Sequence, residues 1–425
     1  MIKRFTCDGF RNITCNDLQF ERINILIGPN NAGKSNFIRA LSFAANMVNN
    51  QKGESTGFLS EIKRNGWDQI ADRRANKSAF RLIWEFEAEK KRPVEYTLGA
   101  AIGKKREENF ITEETLDSTE PHDGYPQAYN YFRCHVNDRG PGLGNGLFST
   151  AGFENKKSRR LLAKVDKTET VLLQMDNLFF SNKEMFSAPF VRDNIRHVLE
   201  SMRTYFRSFY SYSCAAFNIS EIRDLRDAQG DGSILAKDAS NFVNVFYTTM
   251  NNDKGFKERY LKKIKRLITK CEDIKIESAG NKIWMEIKID GYFFPLSEVS
   301  DGTIHLLVLL LMLNSSEQNA ISLLAIDEPE MNLHPAWQKQ LANEILRGQG
   351  FKQCFISTHS PDFLDEFTED FKNDTAATVA VFVFDPSSKT AIRKLDPQEL
   401  RSDLSEWTLG DLYRIGDPLI GGWPQ

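Results

Sequence analysis

Residues 28–35 read GPNNAGKS, a GxxxxGK[ST] pattern that follows the strand-like INILI at 23–27 and precedes the helix-like NFIRALSFAANMV at 36–48. No other stretch constrains the fold as much, because this order of residue types suits a strand, a tight glycine turn and a helix whose first amides face an anion. Glycines at 28 and 33 let the backbone wrap a phosphate closely. Lys34 can bridge the β and γ oxygens of a nucleoside triphosphate, and Ser35 can offer its hydroxyl to Mg2+. With Asn30, Asn31, Ala32 and Asn36 these residues form the predicted cradle for ATP.

Two more short apolar runs lead into polar residues, as buried parallel strands do at their C-terminal ends. Ser322 to Ile326 runs into Asp327 and Glu328 within SLLAIDEPE, and Gln353 to Ser357 runs into Thr358 and His359. The predicted fold class is therefore α/β, with the ligand at the strand ends. Given a phosphate cradle, Asp327 is the expected Mg2+ partner and Glu328 the group that activates the attacking water. His359, emerging on the same sheet edge, is expected to contact the γ-phosphate or that water. A fourth segment, LSEVSDGT at 296–303, runs into the apolar IHLLVLLLML. Ser300 and Gly302 fall where that helix begins, so a hydroxyl, free amides and the positive end of the helix point outward. This is a second anion site in a chain that already has one for its own nucleotide.

Between these regions the chain changes character. Strands and helices alternate before about residue 100 and after about residue 285, which divides the chain into 1–100, 101–284 and 285–425. Lys90 to Lys105 carries mixed charge, and His122 to Gly146 is rich in Gly, Pro and Asn, so both are expected to be irregular. Apolar residues recur at helical spacing from Val191 to Phe206 and from Phe256 to Ile268, and the middle segment is predicted to be mainly helical. It has no sustained heptads, which argues against a long coiled-coil arm.

With 425 residues and 41% hydrophobic content, the chain can build a full core. Its six cysteines lie far apart with no CxxC pair, which argues against structural zinc and a disulfide framework and fits a reducing cytoplasm. The longest apolar run, Leu306 to Leu313, falls well short of the roughly 20 residues that span a bilayer, so no membrane is expected. A net charge of −3 gives no global attraction to nucleic acid. Two local clusters leave DNA open as a partner: Lys156, Lys157, Arg159 and Arg160, and Lys262, Lys263, Lys265, Arg266 and Lys270.

The order GPNNAGKS, SDGT, LLAIDEPE, ISTHS resembles the ABC-type ATPases of the SMC and RecF kind. The opening FRNITCNDLQFERINILIGPNNAGKSNFIRAL is similar to the RecF and OLD group. EPEMNLHP and the terminal WTLGDLYRIGDPLIGG resemble AAA-type ATPases of bacterial anti-phage, abortive-infection systems. The likeness covers residues 1–50 and 285–425 well and the middle poorly. It implies an ABC-type head with a mixed central sheet and a largely helical inserted subdomain. It implies ATP hydrolysis with Mg2+ by two copies paired head to tail, Ser300 of one copy capping the γ-phosphate held by the other, and Met331 to His334 at the interface. SDGT departs from the SGGQ of membrane transporters, and the glutamine loop is unplaced, with Gln174 a weak candidate. The 66 residues after His359 leave no room for the acidic nuclease domain of OLD proteins, so a separate effector, such as a nuclease, is the expected partner. A sensor and scaffold in defence fits best. A RecF-like repair ATPase and a transporter subunit are the alternatives.

Overall fold

The computed structural model describes residues 1–48, 57–72, 79–87, 93–102, 109–121, 128–135, 142–149, 160–181, 189–268, 270–314, 321–373, 378–385 and 391–422. The chain forms two compact units that interleave in sequence. One comprises Met1–Glu21, Asn30–Phe209 and Phe384–Lys394; the other comprises Arg22–Pro29, Tyr210–Val383 and Leu395–Gln425.

The first unit holds an eight-stranded antiparallel sheet in the order Ile13–Gln19, Ile2–Phe10, Ala79–Phe86, Val94–Ile102, Asn109–Pro121, Ala128–Cys134, Leu143–Ser149, Arg160–Asp166. Its strands alternate inward and outward. In AFRLIWEF, Phe80, Leu82, Trp84 and Phe86 are buried while Arg81 is exposed, so one face is committed to the core. Trp84 anchors that face, 5.6 Å from Phe5, 5.7 Å from Tyr96 and 6.0 Å from Phe206, and its indole donates to the Leu41 carbonyl at 3.1 Å. Leu41 belongs to the helix Lys34–Val48, whose Phe37, Ile38, Phe43 and Ala44 are also buried. The helix that follows the phosphate-loop sequence is thereby fixed against the sheet by roughly 1.5–3 kcal/mol for each large side chain buried.

The second unit is built on a sheet in the order Phe209–Ser213, Leu323–Asp327, Cys354–Ser357, Ile23–Ile27, Val379–Asp385, and the last four of these strands run parallel. Asp327 pairs in register with Ser357, and Ser357 with Leu26, so the predicted strands end on one edge. Ile23–Ile27 and Cys354–Ser357 are buried throughout, as strands covered on both faces must be. The helix Asp301–Met312 is buried from Thr303 onward, which makes it a core helix rather than a surface one.

The mainly helical middle is found only in part. Helices occupy Val171–Ser181, Pro189–Arg207, Phe242–Asn252 and Phe256–Leu267, but 94–166 supplies five strands of the first sheet. Two stretches expected to be irregular are among them: Val94–Ile102 lies within the mixed-charge segment, and Ala128–Cys134 and Leu143–Ser149 overlap the glycine-rich one. The glycines misled because one of them serves packing. A Cβ on Gly146 would lie 2.6 Å from Val165 Cγ2 and 2.8 Å from Cys134 Sγ, so the core there has room for a strand but not for a side chain. Residues 101–209 fall in the first unit and 210–284 in the second. The six cysteines are free and buried. No helix among the described residues is long and apolar enough to cross a membrane.

Candidate functional site

In the first unit, Asn30 and Asn31 are exposed, whereas Ala32 and Lys34 are buried at 4% and 5% exposure. Asn31 has a φ of +62° and Gly33 of +110°. A Cβ on Gly33 would sit 2.9 Å from Asn12 Nδ2 and 3.0 Å from Ile13 Cδ1, so only glycine fits that turn. The Gly33 carbonyl accepts from Phe37 N at 2.8 Å and opens the helix that begins at Lys34. Asn36 is engaged locally. Its Nδ2 donates to Asn12 Oδ1 at 2.7 Å, and its Oδ1 accepts from Arg11 Nη1 and Arg39 Nη1, each at 3.3 Å. The tight glycine turn and the helix start at Lys34 are the features a phosphate cradle needs, and Ser35 lies on the first turn of that helix.

The second unit carries Gly28, Asp327, Glu328, His359, Ser300 and Gly302. Gly28 has a φ of +139°, and its carbonyl accepts from the Tyr413 hydroxyl at 3.4 Å. Asp327, the last residue of its strand, accepts a hydrogen bond from Ser357 Oγ. Glu328 takes a φ of +56°, which few side chains tolerate. The conformation is held from both sides: Glu328 N donates to Ser357 O at 3.0 Å, and Glu328 O accepts from Met331 N at 3.1 Å. Strand pairing then brings Glu328 Oε1 within 3.5 Å of His359 Nε2. Both side chains are half-buried. Beneath them lies the buried Cys214 thiol, which burial, then Glu330, Asp327 and Glu328, push well above its usual range.

Ser300 caps the helix Asp301–Met312. Its Oγ accepts from Thr303 N at 3.3 Å and lies 2.9 Å from Thr303 Oγ1, while Ser300 itself stays exposed. Arg223 Nη2 holds this helix start by donating to Asp301 Oδ1 and Val299 O, both at 2.7 Å. Gly302 is required by a close approach, because a Cβ there would lie 2.4 Å from the Asn332 carbonyl oxygen. One turn on, His305 is 2% exposed; burial lowers its pKa and outweighs the nearby Asp301 and Met331 backbone, which raise it. The helix start is thus fitted to Met331 and Asn332, a contact that no motif spacing announced.

Gln174 is fully engaged. Its Nε2 donates to Asp166 O at 2.9 Å and Glu169 O at 2.8 Å, and its Oε1 accepts from Asp166 N at 3.1 Å, which makes it a local turn brace. In the second basic cluster, Lys263 and Arg266 on the helix Phe256–Leu267 pair with Glu344 at 3.2 and 3.1 Å, and Lys270, in the turn beyond it, pairs with Asp290 at 2.8 Å. Three of its five cations therefore face acids. Lys156, Lys157 and Arg159 lie outside the described residues, as does the Arg160 side chain.

A glycine turn leading into a helix, with acids at the end of a parallel strand and a histidine on the next one, defines an α/β P-loop protein. A family model described as "AAA domain, putative AbiEii toxin, Type IV TA system" matches residues 23–365, and the chain belongs to that family of AAA ATPases. Endonuclease GajA of Bacillus cereus (strain VD045) is 29% identical over 151 residues, which cover 32% of this chain and 26% of that protein. The chain thus spans about a quarter of the length of this curated relative. Among solved structures, the SMC head domain from Thermotoga maritima aligns over 93% of this chain and 99% of its own at 13% identity and a TM-score of 0.43. The SMC head bound to the C-terminal winged-helix domain of ScpA aligns over 94% and 99% at 10% identity and a TM-score of 0.47.

Proposed function

We propose that the chain binds ATP with Mg2+, hydrolyses it between two copies, and uses that cycle to control a separate effector in anti-phage defence. The observation that carries the hydrolytic reading is the pair formed by Glu328, held at positive φ, and His359, 3.5 Å away on the neighbouring strand. A carboxylate fixed at a strand end beside an imidazole is suited to accept a proton from water as the water attacks a phosphoryl group. Gly28, Asn30 to Gly33, and Lys34 would hold the phosphates; Ser35 and Asp327 would hold Mg2+, which would draw negative charge off the phosphate oxygens. Among these residues Asn36 would act only by bracing the turn, since Asn12, Arg11 and Arg39 occupy its amide.

Two copies are invoked because Ser300 is exposed at the start of a helix whose next residues are locked to Met331 and Asn332 of the same chain. The hydroxyl and the helix amides form a rigid donor set facing outward, as capping a neighbour's γ-phosphate needs. Membership of the AbiEii-type family and the partial likeness to an endonuclease support a defence role with a nuclease as partner.

Glu328→Gln tests the hydrolytic reading. The amide keeps the shape but cannot take a proton, so ATP binding should persist while phosphate release falls by about a hundredfold or more. Unchanged phosphate release would remove Glu328 from the chemistry.

A further inference from the structure

Pro329 turns the chain so that a third carboxylate, Glu330, comes back beneath the strand ends. Its Oε1 accepts three hydrogen bonds, from Thr358 Oγ1 at 2.7 Å, His359 N at 2.8 Å and Ser360 N at 3.2 Å. Thr358 Oγ1 in turn accepts from Ser360 N at 3.0 Å, so hydroxyl, carboxylate and two amides form one closed cluster. Ser360 continues it outward: its Oγ donates to Gln338 at 2.7 Å and caps the short helix Pro361–Asp365 through Phe363 N at 3.2 Å. Every donor on Oε1 therefore comes from the tripeptide centred on His359.

We propose that Glu330 is a positioning residue for hydrolysis, fixing the main chain of His359 so that its imidazole stays beside Glu328. This rests on the reading of His359 as a participant in hydrolysis. Two features separate the role from simple packing. Burial, the largest influence, drives the Glu330 pKa upward, and Oε2 has no hydrogen-bond partner among the described residues. A carboxyl group is thus a costly choice for holding a turn, where a neutral side chain would spare the desolvation. The carboxyl oxygen can gather three donors at one point, and this aims the histidine. The His359 ring has a single backbone amide as its root, so a shift of that amide carries Nε2 away from Glu328, and misplacement of about 1 Å costs up to a hundredfold in rate.

The test is a double-mutant cycle on the full chain, read as ATP turnover with thermal melting recorded alongside. Glu330→Ala should lower kcat about tenfold to a hundredfold and change KM for ATP less than about threefold. Glu330→Gln keeps an acceptor oxygen and should recover most of that loss. In a His359→Ala background the same Glu330→Ala change should cost less than about threefold, because there is no imidazole left to aim. If Glu330→Ala does not fold, Thr358→Val carries the comparison, since it removes the hydroxyl from the cluster while conserving shape. Equal losses in the native and His359→Ala backgrounds would overturn the role of Glu330. A His359→Ala variant as fast as the native chain would instead remove the histidine reading on which the proposal rests.

Discussion

Gly302→Ala probes the joint between the serine-capped helix and the segment after the acidic strand. The added methyl would lie 2.4 Å from the Asn332 carbonyl oxygen and 3.8 Å from Trp337 Cζ3. Reaching ordinary contact requires a retreat of roughly 1 Å. The obstacle is backbone rather than a mobile side-chain tip. Asn332, at a φ of +60°, has little freedom to rotate its carbonyl away, and Leu333 N bonds back to Glu330 O at 3.0 Å. Overpacking of this kind costs about 1–3 kcal/mol. Alanine's better helix propensity returns at most about 1 kcal/mol, and less in a first turn. A net loss of about 1–2 kcal/mol should lower the urea midpoint by about half to one molar for a typical slope. ATP turnover should fall with it, because the helix start carrying Ser300 is pushed off its seat. A variant with the native midpoint and native turnover would refute the close fit of Gly302 to Asn332.

Two further outcomes follow from the same geometry. Glu114 is fully buried and accepts from Tyr96 at 2.9 Å and Val171 N at 2.9 and 3.0 Å, yet burial pushes its pKa up to about 8. The folded chain then holds a proton that the unfolded chain releases near pH 4.3, so stability should fall as pH rises from about 4.5 to 8, by up to about 5 kcal/mol. Urea midpoints at pH 6 and pH 8 should diverge in the native chain and converge in Glu114→Gln; equal divergence in both would show that this carboxyl is not the source. Ser300→Arg should leave ATP binding by the single chain intact but abolish turnover, measured as phosphate release against nucleotide affinity, and native turnover would remove Ser300 from the composite site.

The legible parts of the sequence were those where local chemistry and position coincide. INILI, LLAID and CFIS had to be buried strands, and the polar residues after each had to emerge on one edge, as Asp327, Glu328 and His359 do. The glycine turn was equally plain, since GPNNAGKS asks for positive φ and Gly28 and Gly33 have it. What stayed hidden depends on pairing over distance. The strands between 94 and 166 set charged residues such as Glu95, Glu113 and Asp117 between the core residues Tyr96, Leu98, Ile111 and Leu116, so the sequence read as irregular at 90–105 and 122–146 and as part of a mainly helical segment between them. Glu330 had no signal in the sequence, because only the folded chain brings 358–360 over it. Gln174 showed the converse. A lone glutamine invited a functional reading, and a turn uses all of its amide.

The composite site is tested most directly by weighing the assembly. In sedimentation of purified Glu328→Gln protein, addition of ATP and Mg2+ should shift the mass from one chain to two, and adding Ser300→Arg to that variant should cancel the shift. A single-chain mass for Glu328→Gln at every protein concentration, with ATP demonstrably bound, would contradict the shared pocket.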